Sequence, residues 1–162
     1  FIPQKNHYFM SDIISEAIKI EENTIMLFLG RGEAMNSVRE YAIKKGVSEH
    51  VEFMGSRSDI AEFYQAMDLF LFPSFHEGLP IAGVEAQTAD LPCLFSDTIT
   101  SEIMITNRAV SMPLDLGAYE WAKKSILLAK TYGRKNVSDK IIASGYDAAD
   151  MGKRMERIYE QQ

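Results

Sequence analysis

The stretch Leu69-Phe-Leu-Phe-Pro-Ser-Phe-His-Glu-Gly-Leu-Pro-Ile-Ala-Gly-Val-Glu-Ala-Gln-Thr-Ala-Asp-Leu-Pro-Cys-Leu-Phe-Ser-Asp97 decides how the rest of the chain is read. It opens on an unbroken apolar run, Leu69 to Phe72, and the absence of polar alternation predicts a strand buried on both faces. Pro73 ends that run. Pro80, whose missing N–H costs nothing at a first helical position, predicts a short helix to about Ala89, and Pro92 to Phe95 predicts the next strand. Strand, loop, helix and strand make one βαβ unit, in which ligands gather outside the carboxyl ends of the strands.

The loop of that unit carries Glu77 and Gly78. At the predicted helix start the N–H groups of Leu79, Ile81 and Ala82 would be unpaired, and the positive end of the helix dipole favours an anion such as phosphate. Glu85, a little over one turn in, is placed to lean back toward the mouth of the loop and accept from sugar hydroxyls. An acidic residue in a first or second helical turn is also ordinary helix-dipole chemistry, so the position alone leaves both readings open.

Working outward, the 162 residues are 46% hydrophobic and 25% charged, which fits one globular domain able to bury a sizeable core. The net charge of −6 leaves no basic stripe to displace phosphate counterions, which argues against a nucleic-acid binder. No apolar run approaches membrane-spanning length and no signal-peptide pattern is visible, so a soluble, cytoplasmic chain is expected. The single cysteine, Cys93, sits in a predicted strand and reads as a small buried hydrophobe. His7, His50 and His76 show no metal-ligand spacing and no Asp-x-Asp occurs, so no metal is expected. His76 beside Glu77 reads first as a loop residue facing solvent or making a structural hydrogen bond.

Asn6 is expected to cap a helix running to about Ile20, whose Met10, Ile13, Ile14, Ala17 and Ile18 form one stripe for packing on a sheet. Thr24 to Leu29 reads as a strand, Gly30-Arg31-Gly32-Glu33 as a tight turn, and Glu33 to Lys45 as a helix ended by a left-handed Gly46. Val51 to Met54 is a further strand, after which Asp59 with Glu62, or Ser58, caps a helix carrying Ile60, Phe63, Tyr64 and Met67. Thr98 to Thr106 is a short helix and Ala109 to Leu114 a last strand. From Leu116 the pattern is helical, broken at Gly133 and Gly145. Trp121, Ile126 and Leu127 are core positions, and Met151, Met155, Ile158 and Tyr159 a stripe on the last helix. The predicted fold class is α/β: a doubly wound, Rossmann-like parallel sheet with helices on both faces and no internal domain boundary.

Glu77 and Glu85, with seven residues between them, stand in Ser-x-x-Glu-Gly-Leu-Pro-x-x-x-x-Glu-Ala. This pattern resembles the E-x7-E signature of the family 4 retaining glycosyltransferases of the GT-B fold. The Ala-Asp-Leu-Pro turn and Ser96-Asp97 add to the likeness, which runs over nearly the whole chain and looks closest to enzymes assembling bacterial surface polysaccharide or exopolysaccharide. The resemblance implies that residues 1–162 are the nucleotide-sugar-binding carboxy-terminal domain of an enzyme whose amino-terminal acceptor domain is absent. It implies transfer, with retention, of a sugar from a nucleoside diphosphate, a UDP-sugar foremost, without cofactor or metal.

Residue by residue, the resemblance implies that Glu77 and the loop of Gly78, Leu79, Pro80, Ile81 and Ala82 hold the donor sugar, and that Glu85 binds the ribose. Lys5, in Gln-Lys-Asn, would contact phosphate, while its partner arginine would fall just before Phe1. Gly30 would lie near the donor, although Gly30 and Gly32 read first as turn formers. Gly55, in a Phe-x-Gly-x segment, would pack its backbone on the base, and Arg57 would either stack there or lie solvated. The family has a strand ahead of Phe1, between the strands near 25–29 and 69–72. Direct pairing of those two is one way to close the sheet. The missing half would carry acceptor binding and any peripheral membrane contact, so this chain alone should bind nucleotide and transfer nothing. The alternatives are the matching half of a GT-B epimerase or phosphorylase, or a receiver-like or flavodoxin-like binding module. A receiver needs an early acidic cluster and a late lysine, and the chain shows neither.

Overall fold

The structure, a computed structural model, describes residues 1–131, 133–146, 152, 156, 157 and 159. After a 3-10 turn at Pro3–Lys5, the chain forms α1 (His7–Ile20), β1 (Met26–Leu29), α2 (Met35–Lys44), β2 (Val51–Gly55), α3 (Ile60–Ala66) and β3 (Phe70–Phe72). It continues with α4 (Ile81–Thr88), β4 (Cys93–Ser96), β5 (Ala109–Met112), α5 (Gly117–Lys130) and α6 (Ser138–Ala143). Every ladder is parallel, as strands separated by crossover helices must be. β1 pairs with β2, and β4 lies between β3 and β5.

Side chains alternate across the strands and divide the core in two. On one face Leu69, Leu71, Leu94, Val110 and Met112 meet Ile13, Ile14, Trp121 and Ala122 of α1 and α5. On the other, Phe70, Phe72, Cys93 and Phe95 meet Tyr64 of α3 and Val84 and Ala86 of α4. Helices therefore cover both faces, and the predicted α/β class holds. Cys93 is fully buried, and burial pushes its thiol pKa up. The α1 stripe is correct in its residues, but much of its packing is against α5 as well as the sheet.

Several expectations are corrected. The run Leu69 to Phe72 is covered on both faces yet buried only at Phe72, because β3 is an edge strand; β4, paired on both sides, is buried at all four residues. The edges of β1 and β3 do not pair, so the sheet remains in two parts. Asn6 occupies the N-cap position in left-handed conformation and does not cap; its side chain donates instead to Pro73 O at 3.1 Å. Asp59 likewise makes no cap, because Arg57 binds both its carboxylate oxygens, at 2.8 and 2.6 Å. Leu127 points to solvent while Trp121, Ala122 and Ser125 face inward. The segment after Asp97 holds only a 3-10 turn, Ser101–Ile103. Of the last apolar stripe, Tyr159 is exposed, and Met151, Met155 and Ile158 lie outside the described residues.

Gly46 ends α2 as predicted. Its φ is +72°, and Val47 N donates to Ala42 O and Gly46 N to Ile43 O, the paired bonds of a Schellman end. Among the described residues no helix is long and apolar enough to cross a membrane.

Candidate active site

Three segments converge beyond the carboxyl end of β3. The loop from Pro73 to Glu77 is held on one side by the first turn of the chain: Phe75 N donates to Gln4 O at 2.9 Å, Gln4 Nε2 to His76 O at 2.7 Å, and Asn6 Nδ2 to Pro73 O. On its other side the hydroxyls of Ser96 and Thr98 both donate to Ser74 O, and Glu77 forms a parallel bridge with Ile99. A polar loop that would otherwise be loose is thus tied at both edges, which pre-organises whatever it binds.

These ties bring Lys5 and Glu77 together. Lys5 Nζ lies 2.7 Å from Glu77 Oε1 and 4.5 Å from the centre of the Phe72 ring. Glu77 is the more buried partner, its side chain 13% exposed against 32% for Lys5. Oε1 is shielded from water and makes no hydrogen bond of good geometry, so the Lys5 charge is its principal compensation. The ammonium remains accessible to a second anion.

Gly78 is exposed and a Cβ there would meet only open space. Leu79 leans on the core of the α3–α4 face, Pro80 is buried as the N-cap residue, Ile81 is 71% exposed and Ala82 is half-buried. The amides of Leu79, Ile81 and Ala82 have no acceptor among the described residues, and the first amides satisfied by α4 are Gly83 and Val84, both on Pro80 O. The helix start therefore keeps three amides without an acceptor among the described residues. Glu85 is exposed, and Tyr64 Oη donates to its Oε2 at 3.3 Å.

The remaining predicted residues form a separate group. Gly30 and Gly55 close the ends of β1 and β2, with positive φ at both and Gly30 N donating to Gly55 O at 2.7 Å. Arg57 is neither free nor poised alone: it chelates Asp59 and lies 5.2 Å from the Phe63 ring. No hydrogen bond, ion pair or ring contact among the described residues links this group to Lys5, Glu77 or Glu85. All belong to the carboxyl ends of parallel strands or the turns after them.

Sequence reasoning missed the contacts made by Gln4, Ser96, Thr98 and Tyr64. Gln4 was visible as part of Gln-Lys-Asn, but Tyr64 reads only as one more residue of an apolar helix face. A cleft of about 280 Å³ lies at the opposite, amino end of β4 and β5. It surrounds a buried Asp90 that pairs with Arg108 at 3.4 Å and accepts from Lys135 N at 2.6 Å. We assign it a structural role, anchoring the segment between α5 and α6, because its buried charge is already compensated.

His7 stands behind the site, stacked on Phe1 at 4.2 Å. Burial foremost, with the nearby Lys5 charge, lowers its pKa well below the ordinary 6.5. The unfolded chain binds the proton first, so the stability conferred by neutral His7 is complete above pH 6.5 and is lost as pH falls toward the lowered value. Denaturant midpoints measured across this window should fall more steeply for the native chain than for His7→Phe; equal slopes would show that His7 titrates as if unfolded.

Residues 1–130 match the family described as glycosyl transferases group 1. The putative glycosyltransferase EpsF of Bacillus subtilis is 31% identical over 155 residues, 89% of this chain and 38% of EpsF. A UDP-Gal:alpha-D-GlcNAc-diphosphoundecaprenol alpha-1,3-galactosyltransferase of Escherichia coli is 30% identical over 108 residues, 65% of this chain and 28% of its own length. The crystal structure of HepE from Anabaena, in complex with UDP, shares the fold with a TM-score of 0.81 at 14% identity, over 99% of this chain and 46% of HepE. The chain thus spans less than half the length of each of these relatives.

Proposed function

Since the chain belongs to the group 1 glycosyl transferases, of the GT-B fold, we propose that it is the donor-binding, carboxy-terminal half of a retaining enzyme that moves a sugar from a nucleoside diphosphate, UDP foremost, to an acceptor in polysaccharide or glycoconjugate synthesis. The observation that carries this reading is the open start of α4 beside the Lys5–Glu77 pair, with Glu85 on the same helix. Diphosphate lies against the amides of Ile81 and Ala82 and the Lys5 ammonium. As the sugar–oxygen bond breaks, charge grows on the leaving diphosphate. Fixed amides and a cation stabilise that charge more than they stabilise the bound donor. The proposal needs no resident metal. Glu77 orients the sugar and Glu85 accepts from the ribose hydroxyls, while Gly30, Gly55 and Arg57 border the base. The acceptor and any membrane-surface contact belong to the other half, and the reaction takes place on the cytoplasmic side. The carried-over UDP specificity agrees with the UDP named for the Anabaena and Escherichia coli relatives.

Binding tests the reading directly. Thermal shift and calorimetry against UDP, GDP and ADP should select one nucleotide. Glu85→Ala should then weaken that nucleotide by about 1 to 3 kcal/mol, the range for hydrogen bonds to a charged group. No nucleotide binding, or binding indifferent to Glu85, would overturn the assignment.

A further inference from the structure

Glu85 is an exposed carboxylate on a short helix, and an exposed glutamate samples many rotamers unless something holds it. In this fold something does. Tyr64 Oη donates to Glu85 Oε2 at 3.3 Å, from a tyrosine that is only 5% exposed. The Tyr64 ring stands edge-on to Phe70, with centroids 6.0 Å apart, inside the core that α3 and α4 share. Its backbone is fixed as well: Arg134 Nη2 donates to Tyr64 O at 2.7 Å and to Met67 O at 2.9 Å. Through Nη1 the same guanidinium reaches Ala89 O, just beyond the last residue of α4, at 3.3 Å. The end of α3 and the end of α4 are therefore tied through one side chain, and the hydroxyl of Tyr64 sits at a set height beside Glu85.

We propose that Tyr64 is the positioning residue of the nucleotide site: its hydroxyl occupies one oxygen of Glu85 and presents the other, in one rotamer, to the vicinal hydroxyls of a ribose. The inference rests on the proposed role of Glu85 and adds how that role is made selective for ribose over deoxyribose. Burial and the neighbouring carboxylate both raise the phenol pKa, so the hydroxyl stays a donor through the physiological range. A carboxylate held by one donor has its remaining lone pairs directed, and a ligand that pairs with it avoids the cost of freezing the side chain.

The test compares the preferred nucleotide with its 2′-deoxy form on the native protein, Tyr64→Phe and Glu85→Gln. The native protein should prefer the ribonucleotide, and Tyr64→Phe should reduce that preference by about three- to tenfold, the scale of one ordinary intramolecular hydrogen bond, while the buried ring is retained. Affinity for the deoxynucleotide, which keeps its 3′ hydroxyl, should fall by less. In Glu85→Gln the Tyr64→Phe substitution should have little further effect, because the two act as a unit. Absence of any ribose preference in the native protein would sink the role of Glu85 itself. A native preference that survives intact in Tyr64→Phe would sink the role of Tyr64 alone. Loss of affinity for both nucleotides alike, with a lowered melting temperature, would show that the tyrosine merely packs.

Discussion

Glu77→Gln should lower sugar transfer by the full-length enzyme by about a hundredfold or more, the scale on which single electrostatic contacts at a reacting centre act, while UDP binds no worse than before. The sign of the second half comes from the ion pair. Lys5 shares its charge with a carboxylate 2.7 Å away, and removing that carboxylate's charge leaves the ammonium wholly to the diphosphate. Lys5→Met should do the reverse and weaken UDP by about tenfold or more, as expected for loss of a charge-assisted hydrogen bond. It also leaves Glu77 Oε1, already shielded from water, without its compensating charge. The double substitution should therefore cost less than the two singles combined. Initial rates with saturating acceptor and calorimetry with UDP separate these effects. Should Glu77→Gln transfer sugar at the native rate, the glutamate would be a loop-structuring residue and the site would need a different sugar ligand.

The second large effect concerns stability. Gln87 is fully buried on α4 and is the centre of a network absent from any reading of the sequence. Its Nε2 donates to Gly83 O at 3.1 Å and to Ile103 O at 2.7 Å. Its Oε1 accepts from Ile105 N, Thr106 N and Thr106 Oγ1 at 3.2, 2.9 and 3.2 Å. Gln87→Leu would preserve volume yet leave the buried Thr106 N and Thr106 hydroxyl without their acceptor, while Ile105 N still donates to Ile103 O at 2.9 Å. At about 1 to 3 kcal/mol for an unsatisfied buried amide, the loss should be about 1 to 3 kcal/mol. Denaturant unfolding followed by the fluorescence of Trp121 would measure it, and a loss under about 1 kcal/mol would mean that water replaces the amide.

Gln87 illustrates which parts of the structure were legible beforehand. Periodicity exposed α1, Pro80 the start of α4, and the run from Pro92 exposed β4, because helix starts and apolar faces are written in local sequence. Asn6 and Asp59 were misjudged because local capping rules ignore competitors: Asn6 found Pro73 O across 67 positions, and Asp59 found a bidentate arginine two residues away. Tyr64 fitted its apolar helix face so well that nothing marked its hydroxyl, whose partner is 21 positions distant. The Lys5–Glu77 meeting depended on the family pattern, since no local rule joins a residue in the first turn to one beyond the third strand. The gap between β1 and β3 was implied by the family resemblance, but that the two strands would stay unpaired was not, because strand pairing is settled by tertiary geometry.

The stitching of Gln4 to His76, 72 positions apart, has a consequence for how the protein acquires its ligand. Ring closure over so long a span is entropically costly and belongs late in folding, after the intervening elements have docked. Partly folded forms that keep β3, β4 and β5 but lack this closure own a sheet without a grip. If the proposed donor binds here, its affinity would report completed closure of this loop more strictly than secondary-structure content, and binding would favour that closure by mass action.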